Sequence, residues 1–310
     1  MSRHDGRAND ELRKTTITYE RLDRVDGSAR FIFGETAALA SLSGPMEVRL
    51  ALEHPSRATL EVILRPLSNM PGTEAKSLAS TIRTLLTPAL LLTANPRSLL
   101  QLVLQSLSPG VSGTEKSADP RLVAAMVNAS TLALLNAGSV PMQGVVCAVA
   151  VGLLSPSPPS SSSSSSSAQS PSAPASVLVL DPSDAELRNL QGSGCFAFMF
   201  SASAARAPAT SQATDEVLPC EPVFSSWQAS PAPFSAEELF SARALARAGA
   251  ATVWAAMKDS IGRAPTPDAA LFSRPAASRS APAKGREDVM VENGSGSGSG
   301  SDDEEAHMEI

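Results

Sequence analysis

Three histidines, His4, His54 and His307, are the first residues to weigh for catalysis. His4 stands in a polar leader, His54 in a turn and His307 near the C-terminus. None has Ser/Asp or Cys neighbours in the arrangement that a nucleophile–base pair or a zinc site requires. No glycine-rich phosphate loop of the P-loop or dinucleotide type opens a helix after a strand, which removes those two cradles. Asp181 and Asp184 form one carboxylate pair at a strand end, where acid/base or metal chemistry has the right groups. The intervening Pro182-Ser183 favours a duller role, a turn in which Asp184 caps a short following helix. Asp23 and Asp26 flank a turn and read as solvated. Cys147, Cys195 and Cys220 are odd in number and widely spaced, and two lie in apolar runs, so they read as reduced thiols of an intracellular chain. Read this way, the residues suit a scaffold or binding protein, with no cofactor or metal expected.

The elements that would position such residues centre on Asp119–Leu154. Asp119 is an N-cap and Pro120 occupies the first helical position, where a missing N–H costs nothing. Leu122–Ala137 is apolar almost all round, broken only by Asn128, Ser130, Thr131 and Asn136, so this helix is expected to be buried on both sides. Gly138 ends it and Pro141 stops it resuming. Val145–Leu154 follows as a central strand, apolar on both faces. The Gly138–Pro141 break leaves neither half the roughly 20 apolar residues of a membrane span.

Upstream, Ser28–Phe33, Ala37–Ser43, Glu47–Leu52, Thr59–Arg65 and Ser98–Leu107 are expected strands, with turns at Asp26-Gly27 and Gly44-Pro45. Residues 73–92 have helical periodicity interrupted at Pro88. Downstream, Val177–Leu180, 195–200 and 222–228 are expected strands. Ser235 with Glu238 forms a capping box at the head of a long helix, in which Gly249 permits a close contact. Residues 1–15 are expected to be a disordered leader and 16–261 a single domain. The serine-rich stretch 155–176 is expected to be an expanded hairpin loop and 262–310 a disordered acidic tail. The formal net charge of −6 argues against a free-standing nucleic-acid binder, and the polar opening MSRHDGRAND has no apolar core of a secretory signal.

The runs RLDRVDGSARFIFGETAALASLSGPMEVR (21–49), TLEVILRP (59–66), TIRTLLTPALL (81–91), NPRS (95–98), LNAGSVPM (135–142) and LVLDPS (178–183) follow one another in order. Together they resemble the ribonuclease PH-like ring subunits of the eukaryotic RNA exosome, over 16–154 and 177–261. The resemblance implies an α/β (α+β) chain of ribonuclease PH-type fold, two βαβα halves with helices packed between sheets. It implies as partners other ribonuclease PH-like exosome subunits in a hexameric ring, RNA-binding cap proteins and single-stranded RNA in the ring channel, with no membrane. Work in rRNA processing and RNA turnover, in nucleus, nucleolus and cytoplasm, goes with it.

Active members of that family cleave with phosphate, held by a Gly-Thr-Arg segment where the buried helix begins. Here the segment reads Asp119-Pro120-Arg121-Leu122, with a carboxylate in the anion's place and Pro120 lacking an N–H. Gly113-Thr114 in SGTEKS (112–117) could serve as a shifted site, but Glu115 stands where arginine is needed. The family's two catalytic aspartates fall near Leu187 and Ser193, neither of which can replace a carboxylate. No catalytic residue is therefore assigned, and the resemblance implies a catalytically inactive, structural subunit. For RNA, the family's basic pair before a serine corresponds to Ala75-Lys76-Ser77, so Lys76 and Arg83 are the candidate RNA contacts, against a solvated helix face. The alternative class is a phosphate-dependent 3'-5' exoribonuclease or a stand-alone homodimeric nuclease.

Overall fold

The computed structural model describes residues 3, 5–68, 70–109, 119–154, 177–201, 220–229 and 235–263. They lie within one compact unit, Met1–Ala264. The expected serine-rich loop 155–176, the segment SGTEKS and the tail beyond Arg263 fall outside the described residues.

Strands β1 (Thr15–Thr18), β2 (Gly27–Phe33), β3 (Thr36–Glu47), β4 (Thr59–Arg65) and β5 (Ser98–Ser106) form one sheet in the order β1-β2-β3-β5-β4. Only the β4–β5 pair is parallel. A parallel pair needs a crossover, supplied here by helix α1 (Thr73–Leu86), which ends just before Pro88 as its missing N–H requires. Helix α2 (Pro120–Ala137) then leads to the second sheet. Its strands β6 (Val145–Leu154), β7 (Val177–Leu180), β8 (Leu190–Phe200) and β9 (Cys220–Ala229) run β7-β6-β8-β9, all antiparallel, and helix α3 (Ala236–Arg263) closes the unit. The first half thus ends in β4–α1–β5–α2, whereas the second runs as four strands and then α3 among the described residues.

The α2 helix packs on β2 and β3 of one sheet and on β6 and β8 of the other, which explains its lack of a wet face. Its alanines let the sheet come close: a Cβ on Gly27 would lie 2.5 Å from the Ala133 carbonyl oxygen. The four polar residues have defined partners. Strand β7 covers only Val151–Leu154 of β6, leaving the edge upstream without a partner strand among the described residues. The Asn128 amide donates to the Ala148 carbonyl and accepts from the Ala148 N–H, each at 2.8 Å, and the Thr131 hydroxyl donates to the Val146 carbonyl at 2.9 Å. Ser130 bonds back to Met126, and Asn136 donates to the Ser28 carbonyl. Buried polar groups are stable when so satisfied.

The α3 helix starts with the expected capping box, Glu238 N–H to Ser235 Oγ at 3.1 Å and Ser235 N–H to the Glu238 carboxylate at 3.2 Å. Gly249 meets Leu180, where a Cβ would come within 2.6 Å of a Leu180 methyl. No helix among the described residues is long and apolar enough to cross a membrane.

Four local expectations need correction. Gly44-Pro45 is not a turn: β3 runs through it with a bulge between Ser43 and Met46, and Leu50–Leu52 is a 3-10 turn rather than part of a strand. Gly44 has φ +129, and a Cβ there would sit 2.5 Å from the Leu99 carbonyl, so glycine is what lets β3 press on β5. Asp26 is not simply solvated, because its carboxylate accepts from the Gly44 N–H at 2.6 Å and pins the bulge. Finally, the leader is not disordered from residue 5 onward. Leu12 packs on the core, Leu180 N–H donates to the Asn9 carbonyl at 2.8 Å, and buried Arg3 and Arg13 anchor it by ion pairs.

Candidate functional site

The corner where phosphate and acid would be expected is built by the α2 N-terminus and the turn Asp181–Glu186 after β7. Asp119 caps α2 by accepting from the Arg121 N–H at 3.0 Å. Arg121 is 2% exposed. Its guanidinium closes on the same carboxylate, Nε to Oδ1 at 3.1 Å and Nη2 to Oδ2 at 2.7 Å, and its remaining Nη1 donates to the Asp184 carboxylate. Asp184 therefore does not cap the Leu187–Asn189 turn, as expected from sequence. That turn has Glu186 at its N-cap with no side-chain cap, and Asp184 goes to Arg121 because a buried guanidinium needs a second anion more than an exposed turn needs a cap.

The other carboxylates of the turn are taken in the same way. Asp181, at φ 47 and 1% exposed, accepts from Arg13 three times: its backbone N–H at 3.1 Å, Nε at 2.8 Å and Nη2 at 2.6 Å. Glu186 accepts both arms of Arg3, at 2.9 and 2.8 Å, and the Ser183 N–H at 2.7 Å. Arg3 also donates to the Leu180 carbonyl at 2.9 Å. Burial pushes the Glu186 carboxyl up, but the Arg3 hydrogen bonds and charge overcome it and hold the group below its ordinary range. Burial likewise raises Asp184, and Arg121 more than offsets it, leaving Asp184 lowered. Burial works against the charged form of Arg121 as well, yet Asp119 and Asp184 raise it. Asp119, Asp181, Asp184 and Glu186 are thus each matched by an arginine of the chain.

Beside the corner lies a small cleft of about 250 Å³ between α1, the start of α2 and the β8–β9 face. Ser193 lines it, with Glu74, Ser77, Thr81, Pro120 and Cys195, whereas Leu187 does not. Among the described residues the cleft is lined by one carboxylate, Glu74, and no cation, a poor environment for a phosphate or an RNA strand. Burial pushes the Cys195 thiol up to about 12 and raises Cys147 too, so neither is a thiolate nucleophile near neutral pH. Among the described residues no group of three or more His, Cys, Asp or Glu is placed to hold a metal ion.

Lys76 and Arg83 stand elsewhere. Both are exposed on α1, seven residues and so about two turns apart on one stripe. They line a separate groove of about 620 Å³ against β4, not the cleft that Ser77 and Thr81 line on the opposite side of the helix. Sequence reasoning missed Arg3, Arg13 and Glu186 altogether. Their partners are 168 and 183 residues away, and no local pattern announces such a pairing.

Layers of two sheets around central helices, with a capped helix start facing a carboxylate-bearing turn, define a ribonuclease PH-type fold. Residues 11–139 match the model of the 3' exoribonuclease family, domain 1. The chain is similar to the exosome complex exonuclease RRP46 homolog of rice, at 33% identity over 49% of this chain and 60% of that protein. It is similar to exosome complex component RRP46 of Saccharomyces cerevisiae, at 32% identity over 43% of this chain and 58% of that one. The matches thus span less than two thirds of those two relatives. The crystal structure of rice Rrp46 superposes with a TM-score of 0.61 at 24% identity, covering 83% of this chain and 99% of the rice chain.

Proposed function

We propose that the chain is a non-catalytic ring subunit of an RNA exosome, corresponding to the component called exosome component five. In this reading it supports 3'-to-5' RNA processing and degradation by holding the ring together with other ribonuclease PH-like subunits, beneath RNA-binding cap proteins. The similarity to proteins named as exosome components supports the assembly role. The single observation that carries the inactive role is Arg121, the one arginine at the α2 start, which is engaged by Asp119 and Asp184 and so withheld from an incoming phosphate. Pro120 also removes one of the N–H groups that an anion at a helix start would use.

The test is incubation of the purified chain with single-stranded RNA, with and without inorganic phosphate, followed by assay for nucleoside diphosphates. No phosphate-dependent release is expected. Release that disappears in Asp184→Asn would place the chain among the phosphorolytic nucleases. The assembly half has its own check: a chain that stays monomeric and captures no ribonuclease PH-like partner at native expression levels would remove the scaffold reading.

A further inference from the structure

The two sheets leave four edges, and three of them are protected. β1 and β7 have four residues each, and β9 carries Pro222 with a register shift opposite it. Short strands, proline and bulges are the ordinary devices against unwanted pairing. The fourth edge, β4, has none of them. It runs seven residues in unbroken parallel register with β5, contains no proline, and has no strand on its outer side among the described residues.

The surroundings of β4 specify what would sit there. Apolar side chains stand exposed at both ends: Leu52 (52%) beside the Thr59 end, and Leu67 (52%) and Met70 (82%) beyond Arg65. Along the outer groove Lys76 and Arg83 of α1 and Arg65 of β4 have no ion-pair partner among the described residues. Glu61, the one acid in the groove, is occupied by the Gln101 amide at 2.9 Å. We infer that the free edge of β4 docks an extended, acidic segment of another protein. That segment adds as a sixth strand, its backbone pairing with β4 and its carboxylates meeting Lys76, Arg83 and Arg65. A second copy of this chain fits poorly, since edge-to-edge pairing would bring two cationic rims together. An RNA strand fits less well than a peptide, because no aromatic side chain lines the groove for base stacking and its wall is largely aliphatic.

The full chain can be tested with three probes: a peptide of alternating glutamate and valine, one of alternating lysine and valine, and an oligouridylate. Binding is followed by fluorescence anisotropy, and backbone amide exchange is read over residues 59–65. The glutamate peptide should bind roughly tenfold tighter than the lysine peptide and slow exchange of the outward amides of β4. The double variant Lys76→Glu/Arg83→Glu should reverse the preference while its circular dichroism stays unchanged. Equal affinity for the two peptides, unprotected β4 amides in the presence of the glutamate peptide, or protection of this groove by oligouridylate alone would each overturn the inference. None of these outcomes depends on whether the chain cleaves RNA.

Discussion

Two regions on either side of α1 treat charge in opposite ways. In the corner at the α2 start, Arg3, Arg13 and Arg121 are buried and each is bound to a carboxylate. Along β4, by contrast, Lys76, Arg83 and Arg65 are exposed on the rim of an aliphatic groove with no ion-pair partner among the described residues. The first arrangement uses charge to hold the fold, tying the leader, the 181–186 turn and α2 together. The second leaves charge to be met from outside. A phosphate-handling site needs its cations free and preorganised. In this chain the corner at the α2 start has its cations engaged internally, and the free ones sit beside a single acid, Glu61, that the Gln101 amide already engages.

The strongest way to break this comparison is to remove a guanidinium from the corner. Arg13→Ala removes the guanidinium that pairs with the Asp181 carboxylate, 1% exposed and in a left-handed backbone conformation, and leaves Arg3 and Arg7 bonded to its backbone carbonyl only. A buried pair broken from one side typically costs about 3–5 kcal/mol, because the remaining charge has lost its compensation. Urea unfolding followed by circular dichroism reads this directly. A loss below about 1 kcal/mol would mean that the leader is only laid against the turn rather than built into it.

Much of the architecture was legible in the sequence, and the reasons are local. Asp119-Pro120 and Gly138 bound α2, Pro88 stops α1, Ser235 and Glu238 start α3, and Thr59–Arg65 alternates as β4 does. Each signal acts within a few residues, so sequence alone carries it. Gly44-Pro45 misled because the same dipeptide serves a turn or a bulge, and the Leu99 carbonyl that decides between them lies across the sheet. The leader misled for a deeper reason. Its polar composition resembles disorder, and only the fold brings Asp181 and Glu186 to Arg13 and Arg3. Asp184 illustrates the same limit, since its partner Arg121 lies 63 positions away. The groups that fill the candidate site were therefore not legible in the sequence, because Arg3, Arg13 and Asp184 find their partners far along the chain.

A smaller effect tests whether burial or hydrogen bonding sets the polar pattern of α2. Asn128→Ala should leave both the N–H and the carbonyl of Ala148 without partners at an uncovered stretch of β6. Unsatisfied buried polar groups cost about 1–3 kcal/mol, less than a stranded charge. Asn128→Leu should fare no better, because added apolar volume cannot answer two backbone dipoles. If the leucine variant matches the wild type in urea midpoint, packing rather than hydrogen bonding decides this position.

Acid sharpens the comparison within the corner itself. Glu186 is held below its ordinary value of 4.5 in the folded chain, the Arg3 interactions outweighing burial. The unfolded chain therefore binds a proton more readily, and the stabilisation is complete above about pH 4.5 and is lost as pH falls through the lowered folded value. Asp184 behaves alike below its ordinary 3.8, since Arg121 offsets its burial there too. Arg3→Ala should flatten the Glu186 part of this acid limb while leaving the Asp184 part. An identical dependence of urea midpoint on pH in variant and wild type would show that Arg3 does not hold Glu186 ionised.

The smallest expected effect falls on the opposite side of α1, and its smallness is the point. Lys76→Glu/Arg83→Glu reverses two charges on an exposed stripe. Neither side chain has an ion-pair partner to lose, and surface substitutions of this kind usually stay within about 0.5 kcal/mol. Helix electrostatics give the same expectation. Reversing Lys76 near the N-terminal end of α1 suits the helix dipole and reversing Arg83 in its last turn opposes it, so the two contributions of about 0.3–1 kcal/mol largely cancel. Thermal and urea midpoints should therefore match those of the wild type, in contrast to Arg13→Ala. If the double variant instead unfolds as readily as the corner variant, these cations are engaged within the chain, and the groove beside β4 loses its claim to be a surface held open for a partner.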